Sequence, residues 1–205
     1  MKNRGLLLVA LTIALVGSAV VGLRAQKAPA AQSPSPEMQA MMEAHRKAIQ
    51  PGPQHLDLMR LLGEYTTRDT FYMPGAEAPV ISDGAATIKS EMGERFLVEH
   101  NNGAYMGEPY AGLRIYGFNN GSKQYEGVWT YSASTSVMSL SGTSKDDAKS
   151  IDFTANFKDD ATGQAMSLAV TLKLLDPDHF QVELKSTMPN GSAGPRVVTT
   201  YTRKI

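Results

Sequence analysis

Apolar and polar side chains alternate without interruption in Ile151-Asp152-Phe153-Thr154-Ala155-Asn156-Phe157. Successive side chains of a β-strand point to opposite faces, so this pattern predicts a strand with one apolar and one polar face. The same period continues from Met166 to Leu174 and from Phe180 to Leu184. This part of the chain is therefore expected to form consecutive strands that each bury one face.

Turn-forming residues separate similar segments along most of the chain. Asn, Asp, Gly and Pro favour reversal of the backbone, and they occur at residues 119–122, 145–147, 159–163, 176–178 and 188–191. We expect strand cores at residues 64–73, 80–90, 94–102, 110–118, 123–131, 135–142, 149–158, 165–175, 179–188 and 196–204. About ten strands at this spacing predict an antiparallel sandwich or barrel. The lack of strand–helix alternation argues against a parallel α/β fold.

Consecutive hairpins favour an up-and-down β-barrel in which the first and last strands meet. An open sheet leaves unpaired edges, whereas closure removes them. The apolar faces then point inward. A barrel of eight strands leaves an interior that is filled by side chains or by one small ligand, so about ten strands leave more room. The sequence leaves open whether the helical segment before the strands closes one mouth.

The first 25 residues have the order of a secretory signal. Lys2 and Arg4 precede an apolar run, and small residues follow it. The alternative is an uncleaved anchor, because residues 5–23 carry no charge and approach the length that spans a bilayer. Either reading predicts an exported, periplasmic or secreted protein. A membrane contact is expected only through this segment, and only if the segment is uncleaved.

A Pro/Ala-rich linker at residues 26–36 leads into a helical segment at residues 37–62. Ser35 is placed to cap a first helix that ends near Ile49, and a second helix is expected up to Leu62, with Gly63 as a left-handed cap. One face of the first helix is a stripe of Met38, Met41, Met42, His45 and Ile49. Thioethers suit Cu(I), but a methionine stripe is more typical of a packing face, so no metal site or cofactor is predicted.

Composition excludes several classes of function. Twenty basic and 20 acidic residues give no net charge, and removal of residues 1–25 takes away three basic residues, which leaves a charge of −3. No basic surface for nucleic acid is therefore expected. The absence of cysteine excludes disulfides, thiolate metal sites and a cysteine nucleophile.

The strongest candidates for ligand binding are aromatic. Tyr125, Trp129 and Tyr131 share one face of a predicted strand, and Arg114 and Tyr116 share a face of the strand before it. An inward arginine among aromatic rings would suit a carboxylate ligand. The favoured alternative is that Arg114 points to solvent while its two neighbours fill the core, because burial of an unpaired arginine costs several kcal/mol.

Histidine supplies the remaining candidate. His100 alternates with Phe96 and Val98, which predicts an inward side chain, either satisfied in the core or bonded to a ligand. His55 is expected at a helix cap or interface. The sequence contains no paired histidines at metal-binding spacing and no nucleophile elbow. A catalytic site at the barrel mouth, near Glu99 and His100, is the weakest hypothesis.

Several short motifs resemble a bacterial family catalogued as domain of unknown function 1579. They are Pro51-Gly52-Pro53-Gln54-His55, Leu61-Leu62-Gly63-Glu64-Tyr65, Gly93-Glu94-Arg95-Phe96-Leu97, Met106-Gly107-Glu108-Pro109-Tyr110-Ala111-Gly112, Gly117-Phe118-Asn119, Trp129 and Tyr201-Thr202-Arg203. The resemblance implies an exported calycin-like barrel and no defined activity. Calycins begin with Gly-x-Trp under a basic residue of the last strand; here Tyr65 replaces the tryptophan, and Arg203 is placed to stack on it and close the barrel.

These observations favour a mainly β, calycin- or lipocalin-like barrel with a short N-terminal helical segment. Its expected function is the non-catalytic binding of a small apolar or amphipathic molecule, through His100, Arg114, Tyr116, Tyr125, Trp129 and Tyr131. Two alternatives stay open. One is a structural or partner-binding envelope protein with a packed barrel, and the other is an enzyme with its site at the mouth.

Overall fold

The computed structural model describes residues 34–146, 149–188 and 191–204. The predicted signal segment and residues 26–33 of the predicted linker lie outside the described residues. The chain divides into two units between Ala40 and Met41. Within the described ranges, no helix has the length and apolar character needed to cross a membrane.

Ten antiparallel strands form a closed up-and-down barrel, which confirms the predicted fold. The strands are β1 (Gly63–Tyr72), β2 (Val80–Glu91), β3 (Phe96–Tyr105), β4 (Glu108–Asn119), β5 (Gln124–Tyr131), β6 (Met138–Ser144), β7 (Ser150–Lys158), β8 (Ala165–Leu174), β9 (His179–Thr187) and β10 (Ala193–Arg203). Each strand pairs with the next, and β1 pairs with β10, from Tyr65 opposite Arg203 to Tyr72 opposite Arg196. No edge strand is left along this ring of described strands.

Alternating burial shows how the sequence pattern builds the interior. In β7, Ile151, Phe153 and Ala155 are buried while Asp152 and Thr154 are exposed. The inner faces of the other strands add to one apolar cluster, whose largest members are Tyr65, Tyr116, Tyr125, Trp129, Phe180 and Tyr201. Apolar burial of this kind contributes about 25 cal/mol per Å² removed from water.

Helix α1 (Pro36–Ala48) begins as predicted and differs from the prediction in its packing. The Ser35 hydroxyl oxygen accepts the Met38 N–H at 3.2 Å, which caps the helix. None of the residues of α1, all of which the structure describes, is buried. The methionines of the predicted stripe and Ile49 are between 45% and 61% exposed, so their interpretation as a packing face is wrong.

Helix α2 (Pro53–Met59) closes one end of the barrel. Its first turn is fixed by His55, whose Nδ1 accepts the Gly52 N–H at 3.0 Å. Leu58 and Leu61 are buried among the core side chains where β1 begins and where β4 ends. The helix ends at Met59, so the predicted cap at Gly63 is wrong; Gly63 instead opens β1 with φ +146°.

Candidate functional site

A cavity of about 190 Å³ occupies the half of the barrel opposite α2. It lies between the ends of β1, β3 and β5 and the beginnings of β4 and β10, and it opens at that mouth. Its apolar wall consists of Phe71, Met138, Phe157, Leu168, Leu184 and Val197. Aromatic side chains with polar tips complete the lining at Tyr105, Tyr110, Trp129 and Tyr131.

A buried ion pair forms the floor of the cavity. Arg114 and Glu99 are directly opposite on β4 and β3, and Arg114 Nη1 lies 2.8 Å from Glu99 Oε1. Their side chains are 5% and 1% exposed. Glu99 Oε1 also accepts the Tyr201 hydroxyl at 2.8 Å and the Asn101 Nδ2 amide at 2.9 Å. Both charges are therefore hydrogen-bonded by the protein, which is the condition for burying such a pair.

Arg114 is held from a second side by an aromatic ring. Its guanidinium carbon lies 4.6 Å from the centroid of the Trp129 ring, which is a cation–π contact. The register places these two residues opposite each other on β4 and β5. Arg114 Nη1 also donates to the Tyr201 hydroxyl oxygen at 2.7 Å. The guanidinium thus has a fixed orientation at the floor.

Two buried polar atoms of cavity-lining residues lack a hydrogen bond of ordinary geometry within the described part of the chain. They are the indole Nε1 of Trp129, a donor, and the side-chain oxygen of Asn101, an acceptor. Buried polar groups in native proteins are nearly always paired. A side-chain hydrogen bond from Trp129 lowers the pKa of Tyr110, so the Trp129 N–H faces that hydroxyl. The Asn101 oxygen is therefore the atom available to hydrogen-bond a molecule in the cavity.

A carboxylate, Asp69, lies on the cavity wall above the floor. Its Oδ1 accepts the Thr199 hydroxyl at 2.6 Å across the β1–β10 seam. Burial raises the pKa of Asp69, and the Thr199 hydrogen bond and the charge of Arg114 oppose this shift. Among the described residues, Asp69 takes part in none of the ion pairs.

Buried tyrosines surround the ion pair in their neutral form. Burial raises the pKa of Tyr116, Tyr201 and Tyr110, and the nearby charge of Arg114 only partly offsets it. At neutral pH their hydroxyls therefore remain hydrogen-bond donors. The floor combines one cation, one anion and neutral phenols.

Tyr65 and Arg203 join the two ends of the sheet. The guanidinium carbon of Arg203 lies 5.0 Å from the Tyr65 ring centroid, and the Tyr65 hydroxyl donates to the Leu61 carbonyl at 3.0 Å. Arg203 also donates to the carbonyls of Leu62 and Arg60. A Cβ on Gly63 would approach the end of the Arg203 side chain, and the φ of +146° at Gly63 is one that other residues rarely adopt. The arrangement lies at the closed end, away from the cavity.

The structure brings together only part of the predicted site. Arg114, Trp129 and Tyr131 line the cavity. Tyr116 is buried beside Phe153, and Tyr125 points toward α2 at the closed end, where its ring contacts Phe118. The favoured interpretation that Arg114 points to solvent is wrong, because its side chain is buried and paired with Glu99.

The inward orientation predicted for His100 is also wrong. His100 is exposed on the outer face of β3, while Leu97 and Glu99 occupy the inner face. Because neighbouring residues of a strand point to opposite faces, Glu99 and His100 do not meet. The hypothetical catalytic pair at the mouth is therefore not formed.

Sequence reasoning missed several residues that line the cavity. The cavity lining includes five polar or aromatic residues that are not among the predicted site residues, namely Asp69, Asn101, Tyr110, Thr199 and Tyr201. A signal was present in β10, where Val197, Thr199 and Tyr201 alternate. The other positions depend on strand pairing, which the chain does not reveal locally.

Among the solved structures compared, that of Rv2717c supports the barrel fold. The crystal structure of Rv2717c from M. tuberculosis is 13% identical, with a TM-score of 0.52, and the alignment covers 76% of this chain and 100% of that one. The S-type phycobiliprotein lyase CPES from Guillardia theta is 11% identical, with a TM-score of 0.49 and coverage of 76% and 99%. No curated protein matches significantly. The family described as "Protein of unknown function (DUF1579)" matches residues 50–203, and the chain therefore belongs to the DUF1579 family.

Proposed function

We propose that this protein is a non-catalytic binding module that holds one small amphipathic molecule in its barrel. The observation that carries the proposal is the cavity of about 190 Å³, with apolar and aromatic walls above a hydrogen-bonded polar floor. Ligand sites are typically concave and mostly apolar, with a few placed polar groups that orient the ligand.

The cavity volume limits the size of the ligand. An engineered cavity of about 150 Å³ is known to hold benzene. A volume of about 190 Å³ therefore suits one aromatic ring or a short aliphatic chain with a polar substituent. A larger molecule would extend through the open mouth past Tyr105 and Phe71.

The chemistry of the lining supports binding rather than catalysis. Among the described residues that line the cavity there is no histidine, cysteine, lysine or glutamate. Arg114 is occupied by Glu99 and Tyr201, so it is not free to act as an acid or an electrophile. Catalysis needs a nucleophile or base held in reach of a partner. The carboxylate–hydroxyl pair of Asp69 and Thr199 is accompanied by no imidazole, amine or thiol among the described lining residues.

We also propose that the protein acts outside the cytoplasm. The order of charged, apolar and small side chains in residues 1–25 supports export, to the periplasm or the medium. The binding of a small molecule is a function compatible with the periplasm or the medium. N-terminal sequencing of the protein from cell fractions tests both the compartment and the cleavage.

Native mass spectrometry tests the binding proposal. We expect protein purified without detergent to carry an extra mass that is lost on denaturation. The matched control is Val197→Phe, which adds volume to the cavity wall and should remove the extra mass without unfolding the barrel. A bare mass for both proteins, with no change in Trp129 fluorescence on addition of small aromatic compounds, would favour the alternative of a packed structural or partner-binding domain.

A further inference from the structure

We propose that the ligand of the barrel is a small organic cation, an amine with an aromatic or short apolar body whose ammonium group lies beside Asp69. This inference rests on the proposed binding function and specifies its ligand class. Three independent features of the cavity point to it. They are its charge balance, its aromatic lining and the unpaired side-chain oxygen of Asn101 near the floor.

The charge balance of the cavity is negative. Arg114 and Asp69 are the charged residues of its described lining, and Glu99 lies behind Arg114. Glu99 neutralises Arg114 through the bond of 2.8 Å at the floor. The carboxylate of Asp69 is left without a cationic partner among the described residues, and a bound cation would neutralise it.

The same balance argues against an anionic ligand. A carboxylate in the cavity would need Arg114 as its partner, because Arg114 is the cation of the described lining. Glu99, Tyr201 and the Trp129 ring already engage that guanidinium. An added anion would face two acidic groups across a medium of low dielectric constant, which is unfavourable.

Aromatic rings form the wall around the position where the cation is expected. Phe71 and Tyr105 meet edge to face with ring centroids 5.7 Å apart, and Tyr110 and Tyr131 pack at 5.9 Å. All four rings line the same cavity as Asp69. Ring faces attract organic cations, and the attraction increases when water is excluded.

The unpaired oxygen of Asn101 favours a ligand that can donate a hydrogen bond. The side-chain oxygen of Asn101 is a buried acceptor, and an ammonium group offers several donors. The Thr199 hydroxyl already donates a hydrogen bond to Asp69. An amine therefore finds two oxygen acceptors, on Asp69 and Asn101, and an apolar enclosure for its body.

The test compares benzylamine, benzyl alcohol and benzoate, which share one ring and differ in charge. Trp129 is the only tryptophan of the chain and lines the cavity, so its fluorescence and its indole N–H resonance report on occupancy. We expect benzylamine to bind most tightly to the wild-type protein. Because this ranking is measured on the wild-type protein alone, a folding defect in a variant cannot affect it.

Matched variants locate the contact. Asp69→Asn keeps the shape and removes the charge, and we expect it to weaken benzylamine binding by about tenfold or more while benzyl alcohol is unaffected. The control Asp152→Asn removes an equal charge from an exposed position on the outer face of β7 and should leave all three affinities unchanged.

The outcomes separate the two proposals. Tighter binding of benzyl alcohol or benzoate than of benzylamine would overturn the cation proposal and leave the binding function standing. Equal loss of benzylamine affinity in Asp69→Asn and Asp152→Asn would overturn the contact with Asp69. Failure of all three probes to perturb Trp129, together with a bare native mass, would overturn both proposals.

Discussion

Arg114 on β4 and Glu99 on β3 face each other across one register position and form an ion pair that is almost completely buried. Removal of one partner leaves the other charge uncompensated in the interior. We expect Arg114→Met to reduce the free energy of unfolding by about 3–5 kcal/mol. Urea denaturation followed by circular dichroism measures this change.

The double variant Arg114→Met with Glu99→Gln supplies the control for that prediction. Because it removes both charges, we expect it to recover part of the lost stability. A double variant that is as unstable as the sum of the two single variants would show that the pair is not coupled.

Asp69→Asn should stabilise the protein at neutral pH. Burial raises the pKa of Asp69, so its contribution to stability is present below the ordinary pKa of 3.8 and is lost as pH rises through the folded-state pKa. The groups that act on it from the surrounding strands are Arg114, Glu99 and Asp83. We expect a higher Tm for the variant at pH 7, and no difference in acid. A lower Tm at pH 7 would contradict this assignment.

The interior tyrosines should resist ionisation. Burial raises the pKa of Tyr116 and Tyr201 above the ordinary value of 10.0. Stability linked to them is present below pH 10 and is lost at higher pH, because the unfolded chain releases these protons more easily. Ultraviolet titration of the phenols is expected to show a fraction that ionises only together with unfolding. Reversible ionisation of all eight tyrosines in the folded state would contradict it.

Asp160 should titrate far into acid. Its carboxylate accepts the hydroxyls of Ser134 at 2.6 Å and Thr135 at 2.7 Å, and these bonds lower its pKa from 3.8 to about 2. Any stability from this contact is present above the ordinary pKa and is lost as pH falls through about 2. Carbon-13 NMR of the carboxyl group measures the midpoint. The variant Ser134→Ala, Thr135→Val should move it back toward 3.8.

Arg203→Lys should weaken the seam between β1 and β10. The guanidinium contacts three backbone carbonyls, the Asp178 carboxylate and a ring face, and a single ammonium group cannot make the same set of contacts. We expect a loss of about 1–2 kcal/mol. Arg46→Lys, on the exposed face of α1, is the control and should change stability by less than about 0.5 kcal/mol.

Sequence pattern predicted the barrel because alternation is a property of each strand alone. The expected core of β7 at residues 149–158 agrees closely with the observed Ser150–Lys158. The sixth strand was expected from residue 135 and begins at Met138, because Ser134, Thr135 and Ser136 contact Asp160 in a turn. The alternation of apolar and polar residues in the sequence does not reveal local hydrogen bonds of this kind.

The cavity was harder to predict, since the inward face of a strand depends on its neighbours. In β3, Phe96, Leu97 and Val98 are all apolar, so either face is a plausible core face. Glu99 points inward because Arg114 meets it from β4, and that pairing follows from register rather than from local pattern. The expectation that charged side chains lie on the outer face of a strand fails wherever two charges are buried as a pair.

Closure of the barrel also has a consequence for how the chain folds. Thr199 and Asp69 hydrogen-bond across a separation of 130 residues, whereas every other strand pair is a neighbour in sequence. Contacts between distant segments form late, because the entropy of closing the intervening loop must be overcome first. During synthesis, β1 is expected to pair with β2 on one side while the backbone groups of its other edge stay unpaired until β10 emerges. Such an edge is a template for intermolecular pairing, so a chaperone that shields β1 would matter most in that interval.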